Sequence, residues 1–338
     1  MFQGDDKIKT NQLFTLAIIV LTVIFVSGCV SPDSISDYME EIQPYVEDIV
    51  TDNIHEETHP DTTVPTINGD LLTVHFIDVG QGDSILIQIN DKNMLIDAGD
   101  NWSGDTVVSY LKDNDVEDLD FVIATHPHAD HIGGMVDVID NFNVMRFIDS
   151  GNPHTTRTYE NILIAIDEND IPFSLAESGQ TIDLDPSVTI EVLNPVEPTG
   201  NLNDDSIVLK LTYGEVSFLF TGDAEERAEN RMIDEGYDID SDILKVGHHG
   251  SRSSTIQEFL DSVSPEVCII MVGTDNRYGH PHEEVIDRLN LFGCEIYRTD
   301  LDGNIIVKTD GRDYSVETQN SGLVIPMTAM TFALTAEA

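Results

Sequence analysis

The sequence predicts an α/β (α+β) domain of four layers: two mixed sheets packed face to face, with helices outside. Three observations lead there. The first half of the body opens with a meander of short β-rich runs and then alternates strand with helix, and the second half does the same. Sheets and helices in that order bury their apolar faces as stacked layers. The chain also has the material for it: 338 residues at 40% hydrophobic content can bury one large core or two modest ones.

Taken in order, residues 71–78 alternate apolar and polar side chains, residues 84–89 follow, and Asn90-Asp91-Lys92-Asn93 turns the chain into residues 94–97 as a hairpin. Helical spacing then marks 105–112, 133–141 and 159–168, and β-rich runs mark 119–125, 144–148 and 172–175. In the second half, strands are expected at 188–193, 206–212 and 216–220, then helix 224–234, strand 242–246 and helix 256–262. Strand 267–271, helix 283–291 and strands 295–297 and 304–308 complete the body.

This body, residues 70–310, is flanked by segments of other character. Residues 13–26 are an uncharged apolar run preceded by Lys7 and Lys9 and followed by Val26-Ser27-Gly28-Cys29. Residues 1–29 therefore read either as a lipoprotein-type signal, with Cys29 lipidated, or as an uncleaved anchor. The run is short against the roughly 20 apolar residues of a membrane span. Both readings place the body outside the cytoplasm, exported and tethered to a membrane. Residues 30–69 form an acidic, proline-bearing linker in which residues 31–69 hold no Lys or Arg. Residues 311–338 are a tail whose apolar stretch 323–334 fits a last strand or helix on the body, or an interfacial segment, and is too short to span a bilayer.

The charge balance is extreme: 16 Lys and Arg against 63 Asp and Glu give a net charge of −47. That excludes the ordinary basic footprint of a nucleic-acid binder. It does not exclude a polyanionic substrate, because bound metal ions supply local positive charge. Three cysteines exclude a disulfide-built scaffold. Cys268 and Cys294 each read as a buried thiol, and an exported location also permits a bridge between them.

The chemistry gathers at strand ends. Thr125-His126-Pro127-His128-Ala129-Asp130-His131 puts three imidazoles and a carboxylate within six positions, which no ordinary packing requires. Such mixed ligands suit Zn²⁺, Mn²⁺ or Fe. Thr221-Gly222-Asp223 places a carboxylate after another strand, and Gly247-His248-His249-Gly250 places imidazoles after a third. Asp78, Asp83 and Asp97 are carboxylates suited to orienting metal-bound histidines.

The series His-x-His-x-Asp-His, Thr-Gly-Asp, Gly-His-His-Gly-Ser resembles the metallo-β-lactamase superfamily. With Phe76-Ile77-Asp78-Val79-Gly80-Gln81-Gly82-Asp83-Ser84, Asp97-Ala98-Gly99, Tyr278-Gly279-His280-Pro281-His282 and Tyr297-Arg298-Thr299-Asp300, it looks like the hydrolase domain of ComEC-type DNA-uptake proteins and their free-standing secreted relatives. The resemblance covers about residues 71–309, without the channel domain of the uptake proteins. It implies the four-layer αββα sandwich and two divalent metal ions, Zn or Mn. His126 and His128 would bind one ion, Asp130 and His131 the other; Asp223 would bridge them and His248, chosen over His249, would complete the second. His154 lies where relatives often place another imidazole. The catalytic candidates are Asp130 and Asp223, to orient a metal-activated hydroxide, and His280, to contact a phosphate or protonate a leaving group. The implied activity is a metal-dependent hydrolase acting on phosphodiesters, including nucleic acid, with no protein partner. The rivals are hydrolysis of a lactone, thioester or β-lactam, and a secreted binding protein without turnover.

Overall fold

The computed structural model describes residues 71–196, 198–320 and 325–327. The N-terminal apolar run, the acidic linker and most of the tail lie outside the described residues.

The first half runs β1 (Leu72–Phe76), β2 (Ile85–Ile89), β3 (Lys92–Ile96), α1 (Gly104–Asp113), β4 (Asp118–Leu119), β5 (Phe121–Ala124), α2 (Ala129–Ile132), α3 (Met135–Asn141), β6 (Asn143–Val144), β7 (Phe147–Asp149), α4 (Arg157–Glu168) and β8 (Phe173–Leu175). The second runs β9 (Thr189–Asn194), β10 (Val208–Tyr213), β11 (Val216–Phe220), α5 (Glu226–Asp234), β12 (Ile243–Lys245), a 3-10 turn (Gly247–Gly250), α6 (Gln257–Val263), β13 (Val267–Ile270), α7 (Glu283–Phe292), β14 (Glu295–Arg298) and α8 (Thr299–Asp302). Then β15 (Ile305–Thr309), β16 (Tyr314–Thr318) and β17 (Ile325–Met327) follow.

The strands build a nine-stranded sheet ordered β17-β16-β15-β1-β2-β3-β5-β7-β8 and a six-stranded sheet ordered β14-β13-β12-β11-β10-β9. Side chains alternate along each strand between two cores, as the pleat demands. In β2, Ile85, Ile87 and Ile89 face the core between the sheets, while Leu86 faces the outer helices. In β11, Phe218 and Phe220 join the same central core and Leu219 turns to the opposite helical layer. The sheets meet where the Phe76 and Phe220 rings lie 6.2 Å apart. On one outer face Val107 and Leu111 of α1, Val138 of α3 and Ile162 of α4 cover the large sheet. On the other, Ala228 and Met232 of α5, Phe259 of α6 and Leu289 of α7 cover the small one. The central strands of both sheets are buried on both faces, which gives the four expected layers and explains their near-continuous apolar runs.

Several elements differ from expectation. Run 119–125 divides at Asp120: Leu119 pairs with Val144 in a separate two-stranded sheet, and Phe121–Ala124 enters the large one. The cause is tertiary, because Asp120 accepts from Lys92 Nζ at 2.8 Å and Asn93 N at 3.0 Å. Helix 133–141 begins earlier, as α2, and breaks at Gly133-Gly134 before α3. At Gly133 a side chain has no room, since an added Cβ would lie 2.1 Å from Asn101 N. The large sheet continues past residue 310, where β16 pairs with β15 and β17 with β16, so part of the tail is a last pair of strands. Cys268 and Cys294 form a disulfide between β13 and the start of β14. Among the described residues no helix is long and apolar enough to cross a membrane.

Candidate metal centre

The strands that run parallel in each sheet, β3-β5-β7-β8 and β11-β12-β13-β14, set the position of the site. Loops leaving their carboxyl ends converge, as ligand sites in parallel sheets do. Asp97 follows β3, His126 to His131 follow β5, Asp223 follows β11, His248 and His249 follow β12, and His280 follows β13. The two sheets are pinned together there by Ile207 N, which donates to Thr125 O at 2.8 Å. Gly82 lets its loop lie against Asp130: its φ is +135°, and a Cβ would sit 2.1 Å from the Asp130 carbonyl oxygen.

Two of the candidate donor clusters lie on either side of the Asp223 carboxylate. His126, His128 and Asp223 form the first, and Asp130, His131 and His249 form the second, with the ligand atoms of each cluster within 4.8 Å of one another. His126 Nε2 stands 2.9 Å from His128 Nδ1 and 3.6 Å from Asp223 Oδ2. The other oxygen, Asp223 Oδ1, lies 3.2 Å from His131 Nε2 and 3.5 Å from His249 Nε2, which is itself 3.5 Å from Asp130 Oδ2. His131 Nε2, His249 Nε2 and Asp223 Oδ1 are buried and make no hydrogen bond. Left so, each costs about 1–3 kcal/mol. Donors on a tetrahedral ion with bonds of about 2.0–2.1 Å stand about 3.3 Å apart, close to these spacings. The buried, unbonded donors and their mixed nitrogen and oxygen chemistry therefore fit a pair of divalent ions.

Each ring is aimed from behind. Asp97 Oδ2 accepts from His131 Nδ1 at 2.7 Å, and Met271 O accepts from His249 Nδ1 at 2.9 Å. The hydroxyls of Thr125 and Ser206 flank His126 Nδ1 at 3.2 and 3.3 Å. Glu225 Oε1 accepts from His248 Nδ1 at 3.1 Å, directing His248 Nε2 to within 3.6 Å of Asp223 Oδ2. The histidine pair sits in left-handed backbone, His248 at φ 46° and His249 at φ 54°, a costly conformation that turns the rings in different directions. Beneath them Lys245, 1% exposed, pairs with Asp83 and donates to Gly222 O at 2.8 Å.

The electrostatics follow from burial and these pairings. Burial holds His126 well below the ordinary histidine value and lowers His128 less. At His131 burial acts the same way, but Asp223, Asp97 and Asp83 outweigh it and raise the ring well above that value. For His249, burial is outweighed by Asp223 and Asp83, and the pKa rises to about 9. At Asp130 burial raises the carboxyl, yet the neighbouring His249 and His131 hold it well below the carboxylate range. Burial pushes His280 down to about 4, with His248 and His249 adding to the effect. Glu225, bonded to His248, falls to about 2.

The expected residues are thus mostly brought together, in a modified arrangement. His126, His128, Asp130, His131 and Asp223 converge. It is His249 that joins Asp130 and His131, whereas His248 approaches Asp223 from the side of His126. His154 joins neither cluster, and its Nδ1 lies 3.0 Å from the hydroxyl of Thr156, the N-cap of α4. His280 lines the open cleft of about 560 Å³ with His128, Asp130 and Asp223. Asp97 orients His131, Asp83 faces Lys245 and His249, and Asp78 accepts from Gly80 N at 3.0 Å instead. Glu225 and Lys245 were not anticipated: one carboxylate among many and one lysine inside an apolar strand give no local signal.

A family model for the metallo-beta-lactamase superfamily matches residues 77–273. The chain belongs to that superfamily. Its relatives include ComE operon protein 3 of Bacillus subtilis, 31% identical over 251 residues, covering 69% of this chain and 32% of that protein. Competence protein ComA of Neisseria gonorrhoeae is 32% identical, covering 67% of this chain and 30% of that protein. Exodeoxyribonuclease WalJ of Streptococcus pneumoniae is 27% identical, covering 51% of this chain and 64% of that protein. The chain spans about a third of the length of the competence proteins it matches. The superfamily match and the donor clusters agree, and the similarity to the competence proteins overlaps this same region of the chain.

Proposed function

We propose that the chain is a metal-dependent phosphodiesterase acting on nucleic acid, exported and tethered by its N-terminal segment. The observation that carries the hydrolytic reading is the pair of clusters on either side of the Asp223 carboxylate, with buried donor atoms left unbonded beside an open cleft. His126, His128 and Asp223 would hold one ion, Zn or Mn, and Asp130, His131 and His249 the other. Bound there, such ions supply Lewis acidity and a nucleophilic water at neutral pH.

The protein's own residues orient and bind. Asp97 and the Met271 carbonyl fix the tautomers of His131 and His249, so that each presents Nε2 to the clusters. Glu225 does the same for His248. His280, with its ring 5.4 Å from that of His248 and its Nδ1 unbonded, is placed to contact a phosphate oxygen or a leaving group. The phosphodiester choice is supported by the likeness to competence proteins and to a protein named as an exodeoxyribonuclease. Export is supported by the Cys268–Cys294 disulfide, which suits an oxidising compartment.

The test is to assay metal-loaded protein against bis-p-nitrophenyl phosphate, single-stranded DNA, a lactone and a β-lactam. Cleavage of the first two is expected. No phosphodiester cleavage with Zn, Mn or Mg would overturn the reading, and lactone or β-lactam turnover alone would replace it. For location, Cys29→Ser should release or misprocess the protein, and unchanged attachment with an uncut N-terminus would identify a plain anchor.

A further inference from the structure

A stack of rings leads from the cleft to its rim. Tyr278 lies 5.6 Å from His280, ring to ring, at an interplanar angle of 23°. The Arg277 guanidinium sits 4.9 Å from the Tyr278 ring centroid, and its Nη2 donates to the Tyr278 hydroxyl at 2.7 Å. Tyr278 is nevertheless 48% exposed, and both residues line the cleft that holds Asp130 and Asp223.

The loop carrying them is held, not loose. Asn276 Nδ2 donates to Gly273 O at 3.0 Å and to His280 O at 2.6 Å. Its Oδ1 accepts from Tyr278 N at 3.2 Å and His280 N at 3.0 Å. One side chain thus fixes the loop before any ligand arrives, which reduces the ordering cost of binding. A second exposed aromatic, Trp102, stands two residues after Asp100, which lines the same cleft.

With 16 basic residues against 63 acidic, the chain has little means of gaining affinity by displacing counterions from a polyanion. Stacking on aromatic and guanidinium planes does not depend on net charge and is open to unpaired bases. We propose that Arg277 and Tyr278 form a stacking platform for a nucleobase of a single-stranded polynucleotide whose backbone lies at the metal clusters. The base extends the stack or takes the place of the guanidinium on the tyrosine ring. This rests on the phosphodiesterase reading and adds the form of the substrate and the residues that select it.

The test uses the full-length, metal-loaded protein and two labelled phosphorothioate oligonucleotides of equal length and charge, one with thymine bases and one abasic, followed by anisotropy. The base-bearing strand should bind about 5- to 150-fold tighter, the range a single stacked base contributes. Tyr278→Ala should bring the two affinities to within about twofold of each other, and Tyr278→Phe should keep the preference. Equal binding of both strands by the native protein, or a preference undiminished in Tyr278→Ala, would overturn the platform. A base preference without cleavage of any phosphodiester would sink the activity and leave the platform standing. Cleavage without base preference would do the reverse.

Discussion

Replacing Asp97 with asparagine should weaken metal binding without touching a donor of either cluster. Asp97 is fully buried and receives three hydrogen bonds: from Thr125 N at 2.9 Å, Thr125 Oγ1 at 2.6 Å and His131 Nδ1 at 2.7 Å. Its φ of 57° is one that asparagine also tolerates, so the loop backbone should persist. What is lost is the charge behind His131, which fixes the tautomer and raises the basicity of Nε2. Losing such a partner typically weakens metal binding about 10–100-fold, or about 1.4–2.7 kcal/mol. The metal-free variant should also lose about 1–3 kcal/mol of stability, since the amide keeps only one acceptor oxygen and leaves at least one of the three buried donors without an acceptor. Competition with a chromophoric chelator measures the first quantity, and thermal melts by circular dichroism the second. A folded variant with metal affinity within about twofold of the native protein would refute the orienting role.

Three other outcomes follow from the same geometry. In the metal-free protein the raised pKa values of His131 and His249 contribute stability that is fully present below the ordinary 6.5 and is lost as pH rises through about 9 for His249. Metal affinity should therefore increase over that window with proton release, visible by calorimetry in two buffers of different ionisation enthalpy, and binding without proton release would contradict it. Lys245→Met removes the ammonium facing Asp83 and should cost about 3–5 kcal/mol in urea unfolding, whereas an unchanged midpoint would show the pair to be idle. Cleavage of a long polyanion should hold or rise with monovalent salt, because screening relieves long-range repulsion by the acidic surface more than it weakens short contacts in the cleft. A steep fall of kcat/KM for DNA alone would reveal a cationic surface.

The central strands were legible because both their faces are buried, so runs such as Ile85–Ile89 and Val216–Phe220 carry little else than apolar residues. Breaks such as that at Asp120 were not, because Lys92 on another strand sets them. The His126 to His131 segment was legible because its four donors are close in sequence, on a single loop and short helix. Choosing between His248 and His249 was a different problem. The two are adjacent, and their directions are set by left-handed backbone together with Glu225 and the Met271 carbonyl, partners 23 and 22 residues away. His154 was expected from the resemblance alone, and in the structure its ring lies against the Thr156 hydroxyl. The disulfide depended on β13 and β14 being neighbours, a fact of sheet order that the spacing of Cys268 and Cys294 does not contain.

The most direct measurement is a titration of Zn²⁺ or Mn²⁺ into the metal-free chain, reading ions bound per chain alongside bis-p-nitrophenyl phosphate cleavage, for the native protein and for Asp223→Ala. Because Asp223 presents one oxygen to each cluster, the native protein should bind close to two ions, with full activity reached only as the second is bound. Asp223→Ala should weaken both sites together. Full activity with one ion per chain, or an Asp223→Ala variant that keeps either site at native affinity, would contradict a dinuclear centre.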